Sequence, residues 1–320
     1  MLRGRRRGYP DLVRKLGGLR TENSGEVDLK KPDTKLHPDT RPGPVALTVP
    51  DLRRSLDFYT YSLGLQVHKH QDSVANLGAG EEDLLLLHEM PGARQTRGTT
   101  GLYHFALLLP SRAHLGRALA NLAENNTALQ GAADHLVSEA LYLADPDGNG
   151  IELYRDRPRE EWTFDADGLR MATDPLDVEG LFAEGARSGE TWSGMPSGTV
   201  MGHVHLRVSD IPATEHFYRD LLGLDLTTRF GASASFLSAG GYHHHLAANT
   251  WGGVGVPPQP ADAAGLREWT LVVPDENEVN RADERLRAGG VKTERLKHGL
   301  WTRDPAGNAL VVRTPPGTNT

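Results

Sequence analysis

Glu152 stands in an otherwise apolar run, Ile151-Glu152-Leu153-Tyr154. A carboxylate in such a setting is costly unless a cation or strong donors compensate it. A metal ion is one such compensation, and two ring-bearing polar residues, His135 and Tyr142, precede it at short spacing. An ion pair with an arginine such as Arg155 is the plainer alternative. A second concentration of chemistry lies in Gly240-Gly241-Tyr242-His243-His244-His245-Leu246. Read as a strand, its alternation sends His244 to one face and His243 with His245 to the other. A histidine, with an unperturbed pKa near ~6.5, suits proton transfer. A solvent-exposed imidazole cluster is the plainer reading of that run.

The elements that must carry these residues are legible. Ala140–Ala144 is an apolar run of strand length, Asp145-Pro146-Asp147-Gly148-Asn149 is a reverse turn, and residues 151–154 return as a second strand. That turn recurs as Asp304-Pro305-Ala306-Gly307-Asn308, 159 residues later. At the same offset, residues 56–65 (Leu-Asp-Phe-Tyr-Thr-Tyr-Ser-Leu-Gly-Leu) return at 215–224 (Glu-His-Phe-Tyr-Arg-Asp-Leu-Leu-Gly-Leu). Two independent matches at one spacing mean a duplicated half. Each half is itself double. Strand-like openings at 44–50, 103–110, 202–209 and 268–274 are each followed by an amphipathic helix signal and short β runs. The result is an α+β protein of four βαβββ modules in two tandem halves.

Length and composition set the outer bounds. At 320 residues the chain suggests two domains, and its net charge of −7 speaks against nucleic acid as a partner. Zero cysteine excludes a disulfide framework and thiolate ligands, so any metal must sit on histidine and carboxylate. No apolar run is long enough to span a membrane. The basic start (Arg3, Arg5, Arg6, Arg7, Arg14, Lys15) is followed by no apolar stretch, so it does not read as a secretory signal and a cytoplasmic location is expected. Residues 1–40 read as a flexible basic extension, 41–160 as the N-terminal half and 199–320 as the C-terminal half. Residues 161–198 read as a linker whose Trp162, Phe164, Leu181 and Phe182 are expected to pack down.

The string from His135 through Leu141-Tyr142, Asp145-Pro146 and Gly148 to Glu152 closely resembles the signature of the type I extradiol ring-cleaving dioxygenases, of the vicinal oxygen chelate superfamily. One departure is Ala133, where that signature prefers glycine two residues before the histidine. The resemblance extends over residues about 41–314, and Gly-Leu-Tyr-His-Phe-Ala at 101–106 and the histidine run make it closest to bacterial catechol-2,3-dioxygenases. It implies paired modules whose curled sheets surround a metal cavity, with ligands from the first and last strand of a module. Those positions are Pro44, His104, His203 and Trp269 on first strands, and Leu85, Glu152, His244 and Val311 on last strands. Neither half alone holds two histidines and a glutamate. The central modules together hold His104, Glu152 and His203, so the second and third modules are expected to share one site, within a chain or across subunits. His205 is the rival of His203 on the same strand face. The outer modules would enclose an inert cavity.

Two imidazoles and one carboxylate form the facial triad suited to Fe(II), with Mn(II) as the other ion of that kind. Zn(II) would fit the ligands but cannot supply redox chemistry. The resemblance further implies that His244 is the acid–base residue, and that Tyr142 and His135 hydrogen-bond the substrate oxygens and order the proton network. The expected activity is Fe(II)-dependent extradiol cleavage of a catechol-type ring with O2 to a 2-hydroxymuconic semialdehyde-type product. Its partners are a small aromatic diol and O2; a homo-oligomer is compatible with it. Three rivals stand beside this reading. A hydroquinone-cleaving dioxygenase would use the same metal. A glyoxalase-like isomerase or thiol transferase usually needs a second glutamate, where this chain has His244. A non-enzymatic aromatic- or drug-binding module would bind no metal.

Overall fold

A computed structural model describes residues 34–315, apart from 167 and 188. Of the expected 1–40 extension, residues 1–33 lie outside the described residues. Residues 34–40 already pack: Leu36 is buried, its N–H donates to the Gly223 carbonyl, and Lys35 pairs with Asp225. The packed chain therefore begins before the expected boundary at 41. Gly223 makes this docking feasible, since it sits at φ 103° and a Cβ there would lie 2.4 Å from the Thr34 carbonyl oxygen.

Four modules follow. Module 1 comprises strands Arg41–Val49, Gln66–Gln71, Val74–Ala79 and Glu82–Glu89, and module 2 comprises Gly101–Leu108, Leu129–Asp134, Ser138–Ala144 and Gly150–Asp156. Module 3 comprises Val200–Arg207, Asp225–Phe230, Ala234–Ser238 and Leu246–Asn249, and module 4 comprises Ala263–Val272, Thr293–Leu296, Gly299–Arg303 and Ala309–Arg313. Modules 2 and 4 place a full helix after the first strand, Arg112–Glu124 and Glu276–Ala288, each capped by a side chain (Ser111, Asp275) that accepts a backbone N–H. In modules 1 and 3 the helix is shorter and ends in a π turn, at Phe58–Ser62 and His216–Leu222.

In each module the opening strand pairs in parallel with the closing one. Opening strands then join modules: that of module 1 runs antiparallel to that of module 4, and that of module 2 to that of module 3. One sheet therefore holds modules 1 and 4, and an eight-stranded sheet holds modules 2 and 3, within one chain. Two equivalent hydrogen bonds are among the contacts that tie the two sheets together. Tyr59 of module 1 donates its hydroxyl to Asp145 in the turn of module 2 at 2.8 Å, and Tyr218 of module 3 donates to Asp304 in module 4 at 3.1 Å. These are equivalent residues of the duplication, which explains why the turn sequence is repeated. Burial of alternate strand residues on one face, as in Phe105, Leu107, Val204 and Leu206, forms the core.

The linker is more structured than its composition suggests. Helix Val178–Arg187 packs on Arg112–Glu124, where Gly116 and Gly185 let the two backbones meet; a Cβ on Gly116 would lie 2.3 Å from the Leu181 carbonyl oxygen. Trp162 and Leu181 are buried as expected, but Phe164 and Phe182 are exposed. Among the described residues no helix is long and apolar enough to cross a membrane.

Candidate metal centre

The sheet of modules 2 and 3 brings one row of side chains together. Antiparallel pairing sets Tyr142 opposite Glu152, parallel pairing sets Glu152 beside Ala106, and antiparallel pairing sets Ala106 beside His203. Paired residues face the same side of a sheet, so Glu152 and His203 reach toward each other over the small side chain of Ala106. His104, two residues before Ala106, joins them from the next row, which it shares with His205.

Three donor atoms converge there. Glu152 Oε2 lies 3.0 Å from His104 Nε2 and 3.1 Å from His203 Nε2, and the two nitrogens are 3.3 Å apart. All three residues are buried, and among the described residues they are the one group of histidine and carboxylate side chains spaced to hold an ion. Donors bound ~2.1 Å from one octahedral ion at right angles stand ~3.0 Å apart, so the spacing and the mixed nitrogen–oxygen set fit a divalent metal. Burial pushes the Glu152 carboxyl up, but the charges and hydrogen bonds of His203 and His104 outweigh it and hold the group well below the usual carboxylate range. Burial pushes His203 down to about 4, against the opposing pull of Glu152. A carboxylate and a neutral imidazole are the forms that bind metal.

Glu152 makes no ion pair with Arg155, which is instead held by Glu139 at 2.6 Å. The rival His205 is not one of the converging donors: its Nε2 accepts from the Asn249 side-chain amide at 2.9 Å, and its ring stands 4.9 Å from that of His104, among Tyr103, Trp251 and Phe236. In the other sheet the equivalent positions Pro44, Leu85, Trp269 and Val311 offer no ligand.

His135 and Tyr142 meet beside the donors. Tyr142 Oη lies 2.6 Å from His135 Nε2, and His135 Nδ1 lies 2.6 Å from the Ala172 carbonyl oxygen. A carbonyl only accepts, so neutral His135 carries its hydrogen on Nδ1 and its Nε2 accepts the phenol. Burial and then the Glu152 charge hold the Tyr142 hydroxyl well above its ordinary pKa. The Tyr142 hydroxyl thus stands between the His135 ring nitrogen and the Glu152 carboxylate, both of them hydrogen-bond partners. The orienting carbonyl comes from the linker, which no local sequence signal indicated.

The histidine run departs from the strand expected for it. The strand begins only at Leu246, and Gly240 and Gly241, at φ 62° and 68°, turn the preceding backbone out of extended geometry. Face alternation therefore does not apply: His243 Nδ1 and His244 Nδ1 lie 2.8 Å apart, and all three imidazoles are buried. The His244 ring stands 4.1 Å from that of His203. Burial, then His203 and the neighbouring imidazoles, hold its pKa well below the ordinary value, so it is neutral. Sequence reasoning missed the groups around this run. Asp156 accepts from His243 and Tyr242, Tyr154 meets Tyr242, Arg159 donates to the carbonyls of Gly240 and Gly241, and Trp162 packs 5.4 Å from His243. The period-two spacing of Glu152, Tyr154 and Asp156 was the available signal. Half-exposed Trp251 lies 5.3 Å from Tyr103, walling one side.

Residues 41–153 and 200–312 each match the Glyoxalase/Bleomycin resistance protein/Dioxygenase superfamily. The chain is 45% identical over 284 residues to a catechol-2,3-dioxygenase of Bacillus subtilis (strain 168), covering 87% of this chain and 99% of that protein. Among solved structures, glyoxalase I from Zea mays matches with a TM-score of 0.54 at 18% identity, covering 86% of this chain and 92% of that one. The CppA protein of Streptococcus pneumoniae matches with a TM-score of 0.52 at 12% identity, covering 88% and 99%. These two likenesses show the shared fold. With both halves matched and one relative aligned along nearly its full length, the chain belongs to the Glyoxalase/Bleomycin resistance protein/Dioxygenase superfamily, as a catechol-2,3-dioxygenase-like member.

Proposed function

We propose that the protein is an Fe(II)-dependent extradiol dioxygenase. It opens a catechol-type ring between a hydroxyl-bearing carbon and its unsubstituted neighbour, and both atoms of O2 enter a 2-hydroxymuconic semialdehyde-type product. The observation that carries this reading is the convergence of His104, His203 and Glu152 within 3.3 Å in a buried site without thiolates. The similarity to a catechol-2,3-dioxygenase supports it. His104 and His203 would hold the ion as neutral ligands, and Glu152 would offset one of its charges; Mn(II) also suits this donor set. When bound, the metal supplies the redox chemistry that lets O2 react with the diol.

The chain's own residues handle protons and shape. Tyr142 Oη can accept a diol proton as its own passes to His135 Nε2, whose orientation the Ala172 carbonyl fixes. His244, neutral beside His203, is the other base within reach of the centre. Tyr103, Phe236 and Trp251 give an aromatic ring apolar walls.

The test is anaerobic reconstitution with Fe(II), then catechol and air, following the yellow ring-opened product. Loss of colour in His104→Ala, His203→Ala and Glu152→Ala is the expected result. Metal binding without product from any catechol, but with product from hydroquinones, would replace this reading by cleavage of para-diols.

A further inference from the structure

The hydrogen bonds behind His244 have a direction, because one of their members can only accept. Asp156 Oδ1 lies 2.9 Å from His243 Nε2, and Asp156 Oδ2 accepts the Tyr242 hydroxyl at 2.9 Å. A carboxylate has no hydrogen to give, so the neutral form of His243 carries its hydrogen on Nε2. Its Nδ1 is then an acceptor. The His244 Nδ1 that faces it at 2.8 Å must donate. His244 is thereby left with a hydrogen on Nδ1 and an open lone pair on Nε2.

Neighbouring groups enforce the same polarity. Tyr242 spends its single hydroxyl hydrogen on Asp156, so Tyr154 Oη, 2.7 Å away, donates to Tyr242. Gly202 in the facing strand makes room for that phenol, since a Cβ there would lie 1.8 Å from the Tyr154 hydroxyl. Trp162 packs against His243, and Arg159 holds the carbonyls of Gly240 and Gly241 that precede the run. His243 is fully buried while the Asp156 side chain keeps about a quarter of its surface exposed, so the hydrogen-bonded chain runs from the site to water.

We propose that Asp156 is a positioning residue: through His243 it fixes His244, whose ring stands 4.1 Å from that of His203, in the Nδ1–H tautomer, with Nε2 as its acceptor. The use of that nitrogen in catalysis rests on the proposed dioxygenase function, whereas the tautomer assignment does not. Fixing ring orientation and tautomer through a buried partner is the general role of such carboxylate–imidazole contacts.

Long-range 1H–15N correlation spectra of 15N-histidine-labelled protein, metal-free and zinc-loaded near neutral pH, read the tautomers directly. The expected wild-type pattern is Nε2–H for His243 and Nδ1–H for His244. In Asp156→Asn the Tyr242 hydroxyl claims the amide oxygen, the amide N–H faces His243, and both tautomers should reverse. With Fe(II), that variant should lose at least ~10-fold in kcat while KM and metal content stay within about twofold. An Nε2–H form of His244 in the wild type would overturn the proposal even if the variant failed to fold. Unchanged tautomers and kcat in a folded Asp156→Asn would do so too. A wild type with the expected tautomers but no ring cleavage would overturn the functional reading and leave the tautomer assignment standing.

Discussion

His104 and His203 are 99 residues apart in the chain, and their Nε2 atoms are 3.3 Å apart in the fold. They belong to different halves of the duplication. Antiparallel pairing of the opening strands of modules 2 and 3 is what joins them, so the centre forms once among the described residues and lies across the duplication boundary.

One divalent ion per chain is therefore expected, because Pro44, Leu85, Trp269 and Val311 offer no donors in the other sheet. Elemental analysis after dialysis against a weak chelator checks the stoichiometry. Removing any one of His104, Glu152 or His203 should weaken binding at least ~100-fold, given that loss of mere outer-shell partners costs ~10–100-fold.

Ala106 separates Glu152 from His203 in the row that crosses the sheet, and it is fully buried. Ala106→Leu should fill the space over which the two ligands meet. Overpacking costs ~1–3 kcal/mol, and the donor atoms would be pushed apart. Thermal unfolding should show the destabilisation, and chelator competition should show weakened metal binding. Ala132→Leu, at a partly buried position outside this row, is the comparison variant.

Tyr142→Phe keeps the ring and removes the hydroxyl that bonds His135. Metal content should be unchanged, and kcat/KM should fall roughly 10- to 100-fold, the range for an ordered hydrogen-bonding partner near a metal. A variant as active as the wild type would remove Tyr142 and His135 from the proton path.

Acid should destabilise the metal-free protein in a defined window. Burial lowers His203 to about 4 and His245 to about 3, and shifts His205 and His244 in the same direction. A lowered folded-state pKa means that the unfolded chain binds protons the fold refuses. This stability is full above the unfolded value near ~6.5 and is lost as pH falls toward the folded values, at up to ~1.4 kcal/mol per pH unit per histidine. Denaturant titrations should give a midpoint that is level above pH ~7 and falls progressively below pH ~6.

Much of this protein is written in short-range pattern. The repeat of the 145–149 turn at 304–308 and the strand alternation around Glu152 specify four modules, because secondary-structure periodicity and turn chemistry are local properties. Choosing His104, Glu152 and His203 among the strand residues also needed the family resemblance, which implies donors on the first and last strand of a module. Other features depended on contacts between distant segments. Gly240 and Gly241 allow either an extended or a left-handed backbone, and contacts with Pro38, Arg159 and Trp162 accompany the turn that brings His243 onto His244. Asp156 and His243 are 87 residues apart, and the Ala172 carbonyl that orients His135 comes from a segment with no periodic signal. A hydrogen bond's direction depends on which acceptor the tertiary structure brings to each ring nitrogen. The sequence thus determined which side chains could bind metal, and the tertiary structure decided which nitrogen of each outer histidine carries the proton.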